Sequence, residues 1–192
     1  MKYQKISRCR LCNSNKIKQI IDFGRICSSS TFPYKNLKYN KITPMIFGIC
    51  NNCKLAQLLH NYNLKELYND EYGYRSGINQ AMVKHLTGIT KDIKKIVKFK
   101  KGDFVLDIAS NDATLLKSYK LSIINCVGID PTISRFKNFY PKNFKTKSVL
   151  FSKHQYLNLS KEEKAKAITS IAVFYDVVNP NSFISDVKDI LS

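Results

Sequence analysis

Four of the six cysteines in this 192-residue chain form two CxxC pairs, Cys9-Arg-Leu-Cys12 and Cys50-Asn-Asn-Cys53. Four thiolates paired in this way can surround one Zn²⁺ tetrahedrally, and a site with every position filled is structural rather than catalytic. The other reading, four free or redox-active cysteines, stays open here but leaves the doubled spacing unexplained. Cys27 and Cys126 have no such partner and read as ordinary packing residues. A second set of residues is acidic. Asp107 interrupts the apolar run Phe104-Val-Leu-Asp-Ile108 near its end, and Asp130 closes the run that starts at Asn125. An acid at the end of a second parallel strand is well placed to bind the hydroxyls of a ribose. The turn between them, Ala109-Ser-Asn111-Asp112-Ala113, holds no glycine, so the dinucleotide fingerprint GxGxxG is absent. A pyrophosphate needs close backbone approach at that turn, so a nucleoside ligand without one suits the pattern better.

These residues require elements that hold them. Phe104 to Ile108 is short, apolar and partly β-branched, which reads as a buried parallel strand, with a helix opening at Thr114-Leu115-Leu116. The unit repeats at Asn125 to Asp130, with Pro131 and Thr132 marking the turn after it. Phe144 to Phe151 reads as a weak third strand suited to an edge, and Ala167 to Tyr175 as a buried fourth strand with Asp176 at its end. Between them, Ser160 to Lys164 reads as the start of a short charged helix. A last helix starts near Pro180, with Phe183, Val187, Ile190 and Leu191 on its core face. Upstream, Ile78, Met82, Leu86, Ile89, Ile93, Ile96 and Val97 recur at helical spacing, and Ser76 is placed to cap that helix. The 37 residues between the two cysteine pairs exceed a usual zinc-ribbon gap, so the segment folds back as its own loop or hairpin. Phe23-Gly24, Phe32-Pro33 and Pro44 are its turn punctuation.

Composition narrows the class. No apolar run reaches the ~18 residues of a membrane span, and MKYQKISRCR lacks the apolar core of a secretory signal. The expectation is a cytoplasmic protein with no membrane partner. A net charge of +18 invites nucleic acid, but lysine supplies nearly all of it, and the arginines are only Arg8, Arg10, Arg25, Arg75 and Arg135. The lysine, asparagine and isoleucine richness looks like coding bias rather than a surface built for phosphates, where arginine is favoured. A basic zinc protein that binds nucleic acid is therefore the least favoured of three readings. The histidines His60, His85 and His154 read as surface or helix residues rather than bases.

Taken in order, CRLC at Cys9, CNNCKLAQL at Cys50, YGYRSGINQAMVKH at Tyr72, VLDIASNDATLL at Val105, GIDPT at Gly128 and ITSIAVFYDVVNP at Ile168 resemble the sugar C-methyltransferases that use S-adenosylmethionine. The resemblance implies an α/β chain: a zinc-binding domain over residues 1–66, a linker loop and amphipathic helix over 67–101, and a partial Rossmann-like class I methyltransferase core over 102–192. It implies Zn²⁺ on Cys9, Cys12, Cys50 and Cys53, and S-adenosylmethionine on Asp107, Ala109, Asn111, Asp112, Asp130, Phe174, Tyr175 and Asp176. The implied substrate is a nucleotide-linked keto-deoxysugar, with Tyr72 or Tyr74 reaching toward the sugar. Packing of a domain junction is the alternative role for these tyrosines. Where the family's turn has glycine, this chain has Ala109 and Ala113, whose Cβ atoms restrict positive φ. The family's tyrosine- and histidine-containing catalytic motif lies beyond the fourth strand. The expectation is thus a truncated or split enzyme with little methyl transfer alone, for which a second chain completing the sheet is a candidate partner. The alternative is an inactive zinc-containing interaction module.

Overall fold

The computed structural model describes residues 2–27, 42–69 and 71–192. Its residues form two compact units, Met1–Gly73 with Tyr175–Asn181, and Tyr74–Phe174 with Ser182–Ser192. The turn expected at Phe32-Pro33 lies outside the described residues.

The first unit is built from antiparallel strands. β1 (Tyr3–Lys5) pairs with β5 (His60–Tyr62), while β2 (Ile17–Cys27), β3 (Ile42–Cys50) and β4 (Ala56–Leu58) form a three-stranded sheet in that order. The described parts of the segment between the cysteine pairs therefore pair as two antiparallel strands. Phe23-Gly24 and Pro44 do not end strands as expected. Gly24, at φ 75°, sits inside β2 where the register with β3 shifts between Asp22 and Arg25, and Asp22 Oδ1 accepts its N–H at 2.8 Å. A bulge absorbs the turn signal. Pro44 lies within β3 opposite Arg25. β2 is the outer strand and exposed along nearly all its length, so Cys27 at its end is exposed rather than packed. His60 is buried in β5, not on a surface or helix. The helix α1 (Leu64–Leu67) follows, capped by Asn63, whose side chain accepts from Lys65 N.

The second unit carries a four-stranded, wholly parallel sheet. Its helix α2 (Gln80–Ile96) begins one residue after Asn79, whose side chain accepts from Ala81 N and Met82 N. Ser76, expected as the cap, lies instead in a 3₁₀ turn, Ser76–Ile78. Met82, Leu86, Ile89 and Ile93 pack on the core, but Ile78 and Ile96, at the two ends of the apolar stripe, are exposed. There follow β6 (Phe104–Ile108), α3 (Thr114–Ser118), β7 (Asn125–Ile129), α4 (Ile133–Phe136), β8 (Lys145–Lys147), α5 (Lys153–Ser160), β9 (Ala165–Ser170) and α6 (Pro180–Ile190).

The strand order is β8-β7-β6-β9. β6 is central and buried throughout, which is why it reads as a continuous apolar run. Side chains alternate across it: Val105 joins Leu86, Leu115, Leu116 and Cys126 on one face, while Phe104, Leu106 and Ile108 join Val127, Ile129, Tyr156 and Ile190 on the other.

Three boundaries differ from expectation. β8 spans three residues, not the whole of Phe144 to Phe151. Lys161 and Glu162 are left-handed, at φ 58° and 66°, so Ser160 to Lys164 ends α5 instead of starting a helix. β9 stops at Ser170, because Ala172 turns left-handed at φ 57° and Phe174–Asp176 coils into a 3₁₀ turn. On the outer side of β9, Ala165 bridges Leu191 in parallel, and Ser192 N donates to Ala165 O at 3.0 Å. Leu191 is exposed rather than on the core face of α6. Among the described residues no helix is long and apolar enough to cross a membrane.

Candidate functional site

Two sites emerge, one in each unit. In the first, the Sγ atoms of Cys9, Cys12, Cys50 and Cys53 all lie within 4.8 Å of one another. Cys9 and Cys53 are 3.5 Å apart and Cys12 and Cys50 3.6 Å. A disulfide needs about 2.05 Å, so these are not bonded pairs. A tetrahedron with zinc–sulfur bonds of about 2.3 Å has edges of about 3.8 Å, and the cluster has that size.

The two cysteine turns repeat one backbone design. Asn13 N donates to Cys9 O and Lys54 N to Cys50 O, at 3.0 and 2.8 Å. Cys9 N donates to Ser14 O and Cys50 N to Leu55 O, at 2.8 and 2.9 Å. Asn13 and Lys54, each just after the second cysteine, are both left-handed, at φ 58° and 65°. Such geometry turns each pair of thiols toward a common point. The electrostatics fit a cation there. Asn52 donating to its sulfur brings the Cys12 thiol down to about 6. Against a lowering backbone hydrogen bond at Leu55, burial and the adjacent thiols drive Cys53 up to about 12. Four crowded sulfurs cannot all ionise without a positive charge between them, and a divalent ion supplies it.

Arg10, inside the first pair, braces the site. Its guanidinium donates to Leu58 O at 2.6 Å, His60 O at 2.8 Å and Asn61 Oδ1 at 2.8 and 3.0 Å, and reaches Gln57 Oε1 at 3.3 Å. These acceptors belong to β4 and β5, so the ligand turn is pinned to both strands.

Also in the first unit, Tyr68 Oη donates to Asp176 Oδ2 at 2.5 Å, and the Tyr68 and Tyr72 rings lie 5.3 Å apart. Burial raises the Asp176 carboxyl, with the Tyr68 hydrogen bond opposing it. Burial, and then Asp176, raises the Tyr68 phenol. Sequence reasoning named Tyr72, Tyr175 and Asp176 but not Tyr68, whose partner is distant in the chain.

In the second unit the site lies at the carboxyl ends of β6 and β7. Asp107 is opposite Gly128 on β7 and Thr169 on β9. Thr169 Oγ1 donates to Asp107 Oδ1 at 2.7 Å. Burial raises the Asp107 carboxyl to about 7; the Thr169 hydrogen bond lowers it and the charge of Asp130 raises it. Asp130 Oδ1 accepts from Thr132 N and Oγ1, both at 2.6 Å, and Oδ2 accepts from Asn111 N at 2.9 Å.

The turn is left-handed at alternate positions: Ala109, Asn111 and Ala113 have φ of 59°, 49° and 63°. The two alanines thus occupy conformations that favour glycine. A strap, Tyr74–Gly77, clasps this turn. Ser76 N donates to Asn111 Oδ1 at 2.9 Å, Asn111 Nδ2 to Tyr74 O at 3.1 Å, and Gly77 N to Asp112 Oδ2 at 3.0 Å. Gly77 is needed there, because a Cβ would come within 2.5 Å of Asp112 Oδ2. Asp112 Oδ1 also accepts from Thr114 N and Oγ1. Tyr140 Oη donates to Asn111 O at 2.8 Å and bonds Ser110 Oγ at 2.7 Å.

Thr169 and Tyr140 escaped sequence reasoning, since each reaches the turn only through tertiary contact. Of the remaining candidates, the Phe174 ring packs at a tilt against Phe183, 5.7 Å between centres, and Tyr175 is largely exposed.

Residues 9–68 match a family model, Methyltransf_13, described as "Putative zinc binding domain". The match spans all four cysteines and the acceptors of Arg10. No curated protein matches the chain.

Proposed function

We propose that this chain is an S-adenosylmethionine-dependent C-methyltransferase acting on a nucleotide-linked keto-deoxysugar, with a zinc-stabilised N-terminal domain and a Rossmann-like core. The observation that carries the reading is the Asp107–Thr169 hydrogen bond. It spans β6 and β9, the point where the order β8-β7-β6-β9 reverses direction, and open parallel sheets bind ligands at that point.

The residues present fit the cofactor. A buried carboxyl at Asp107, with no cation among the groups that shift it in the described residues, favours a positively charged ligand group, such as an α-ammonium or a sulfonium. Ser170 Oγ, at the end of β9 opposite Ile108, is buried and has no hydrogen-bond partner among the described residues. Asp130, one strand over, is placed for ribose hydroxyls.

Bound S-adenosylmethionine supplies an electrophilic methyl group. The chain's own part is to hold and orient. Asp107, Ala109, Asn111 and Asp112 would shape the cofactor end, and Asp130 the ribose end. Phe174, Tyr175 and Asp176 would border the transfer site, and Tyr72 or Tyr74 would approach the sugar. The substrate proton α to the ketone must go to a base with a matched pKa, and the enolate oxygen needs a hydrogen-bond donor. A second chain adding a strand along β9 belongs to the same proposal, supported by the outer position of β9 and its existing parallel bridge to Leu191.

One observation favours a second reading, an inactive zinc-containing interaction module. The side chains of Asn111, Asp112 and Asp130 already have partners within the chain. Calorimetric titration of the zinc-loaded chain with S-adenosylmethionine at pH 8 separates the two. Micromolar binding that weakens on Asp107→Asn is expected, and the absence of binding by the folded chain refutes the enzyme reading.

A further inference from the structure

We infer that Arg75 and Lys117, both close to the ring of Phe139, form an anion subsite that holds the diphosphate of a nucleotide-linked substrate. The inference rests on the methyltransferase reading for the identity of the ligand, but its geometry is independent of it. Arg75 Cζ lies 4.1 Å from the centre of the Phe139 ring, and Lys117 Nζ lies 5.9 Å from the same centre. The three residues come from separate pieces of the second unit: the strap, the helix α3 and the 3₁₀ turn Lys137–Phe139 that follows α4.

Stacking fixes the guanidinium but leaves its donors unused. It forms an ion pair with the buried Asp112 carboxylate, whose Oδ2 lies 3.7 Å from Nε, too far for a hydrogen bond. Among the described residues no group accepts any of its five N–H bonds, although Nε is buried. A guanidinium is a planar fork that matches phosphate oxygens two at a time, and unfilled donors on a positioned fork are what such a site needs. Lys117 is exposed and has no ion-pair partner among the described residues, so it brings a second charge to the same ring. Phe139 itself is 40% exposed, an open apolar ring within reach of both cations.

Location supports a phosphate rather than a surface accident. Arg75 lies in the strap that clasps Asn111 and Asp112, so the subsite adjoins the strand ends where the cofactor is proposed to bind. The site also escapes the objection that applies to the rest of the basic surface. Arg75 is one of five arginines in a chain whose positive charge is otherwise lysine.

The test is calorimetry on the full zinc-loaded chain at low salt, with uridine diphosphate and inorganic pyrophosphate as separate probes. Uridine diphosphate is expected to bind more tightly than pyrophosphate. Arg75→Ala and Lys117→Ala are each expected to weaken it about tenfold, the size of one lost charge-assisted contact. Arg75→Lys, which keeps the charge but not the fork, is expected to weaken it as well. If Arg75→Ala fails to fold, the exposed Lys117 variant still decides. Unchanged affinity in the folded variants, or no binding by the parent chain, overturns the subsite. Equal affinity for pyrophosphate and uridine diphosphate overturns the nucleotide assignment. A parallel titration of the parent chain with S-adenosylmethionine keeps the two readings apart, because its failure alone would remove the methyl donor and leave the anion subsite standing.

Discussion

Replacing Asp107 with asparagine tests the electrostatics at the end of β6 directly. In the folded chain burial raises this carboxyl to about 7, with Thr169 lowering it and Asp130 adding to the rise. In an unfolded chain it titrates near 3.9. Between these values the folded state keeps a proton that the unfolded state has released. Stability from this group therefore falls as pH rises through that window, and the loss is complete above about 7. A gap of about three pKa units corresponds to about 4 kcal/mol at most. Asparagine is neutral at every pH and can still accept the Thr169 hydroxyl, so it removes the titration without removing the hydrogen bond. His60 titrates in the opposite sense: burial lowers it, so its contribution is lost as pH falls through about 6.5, and comparing parent with variant cancels it. Urea denaturation at pH 5 and pH 8 is the assay. The advantage of the Asp107→Asn chain over the parent should grow by about 2–3 kcal/mol between pH 5 and pH 8. An identical pH 5 to pH 8 difference in both chains would refute the reasoning.

Other consequences follow from the same geometry. Ala109→Gly should stabilise the chain by about 1 kcal/mol, read as a 2–4 °C rise in Tm, because it relieves a left-handed alanine that is not fully buried. Ala113→Gly should change stability little, since the same relief is offset by loss of a wholly buried methyl worth about 0.8 kcal/mol. The purified chain should hold one zinc ion, measured by atomic emission, and Cys9→Ser or Cys50→Ser should abolish it and unfold the first unit. Tyr68→Phe leaves the half-buried Asp176 without its donor and should cost about 1–3 kcal/mol at pH 8 and less at pH 4, where the carboxyl protonates. A pH-independent loss in thermal melts would show that the hydroxyl acts by packing alone.

The parts legible in the sequence were those written locally. The CxxC pairs state their spacing outright, and the run from Phe104 to Ile108 identifies a central strand because no face of it is exposed. The alanines at 109 and 113 marked strained positions once set beside a glycine-bearing family, and both are left-handed. What escaped was non-local. Thr169 is 62 residues from Asp107, and Tyr68 is 108 residues from Asp176. Boundaries failed where one residue breaks a strand: Ala172 turns left-handed and ends β9 although the apolar sequence runs on to Tyr175. Turn signals failed in the opposite direction, since Phe23-Gly24 became a bulge that β2 passes through.

The arginine between the first two metal ligands makes this chain its own reporter of occupancy. Trypsin must draw an arginine side chain into its specificity pocket before it can cut, and the guanidinium of Arg10 is engaged by Leu58, His60 and Asn61 while the ligand turn keeps its shape. Stripping the ion frees the turn and hands that side chain to the protease. Scission of the Arg10–Leu11 bond thus dates the departure of the metal, with no label added.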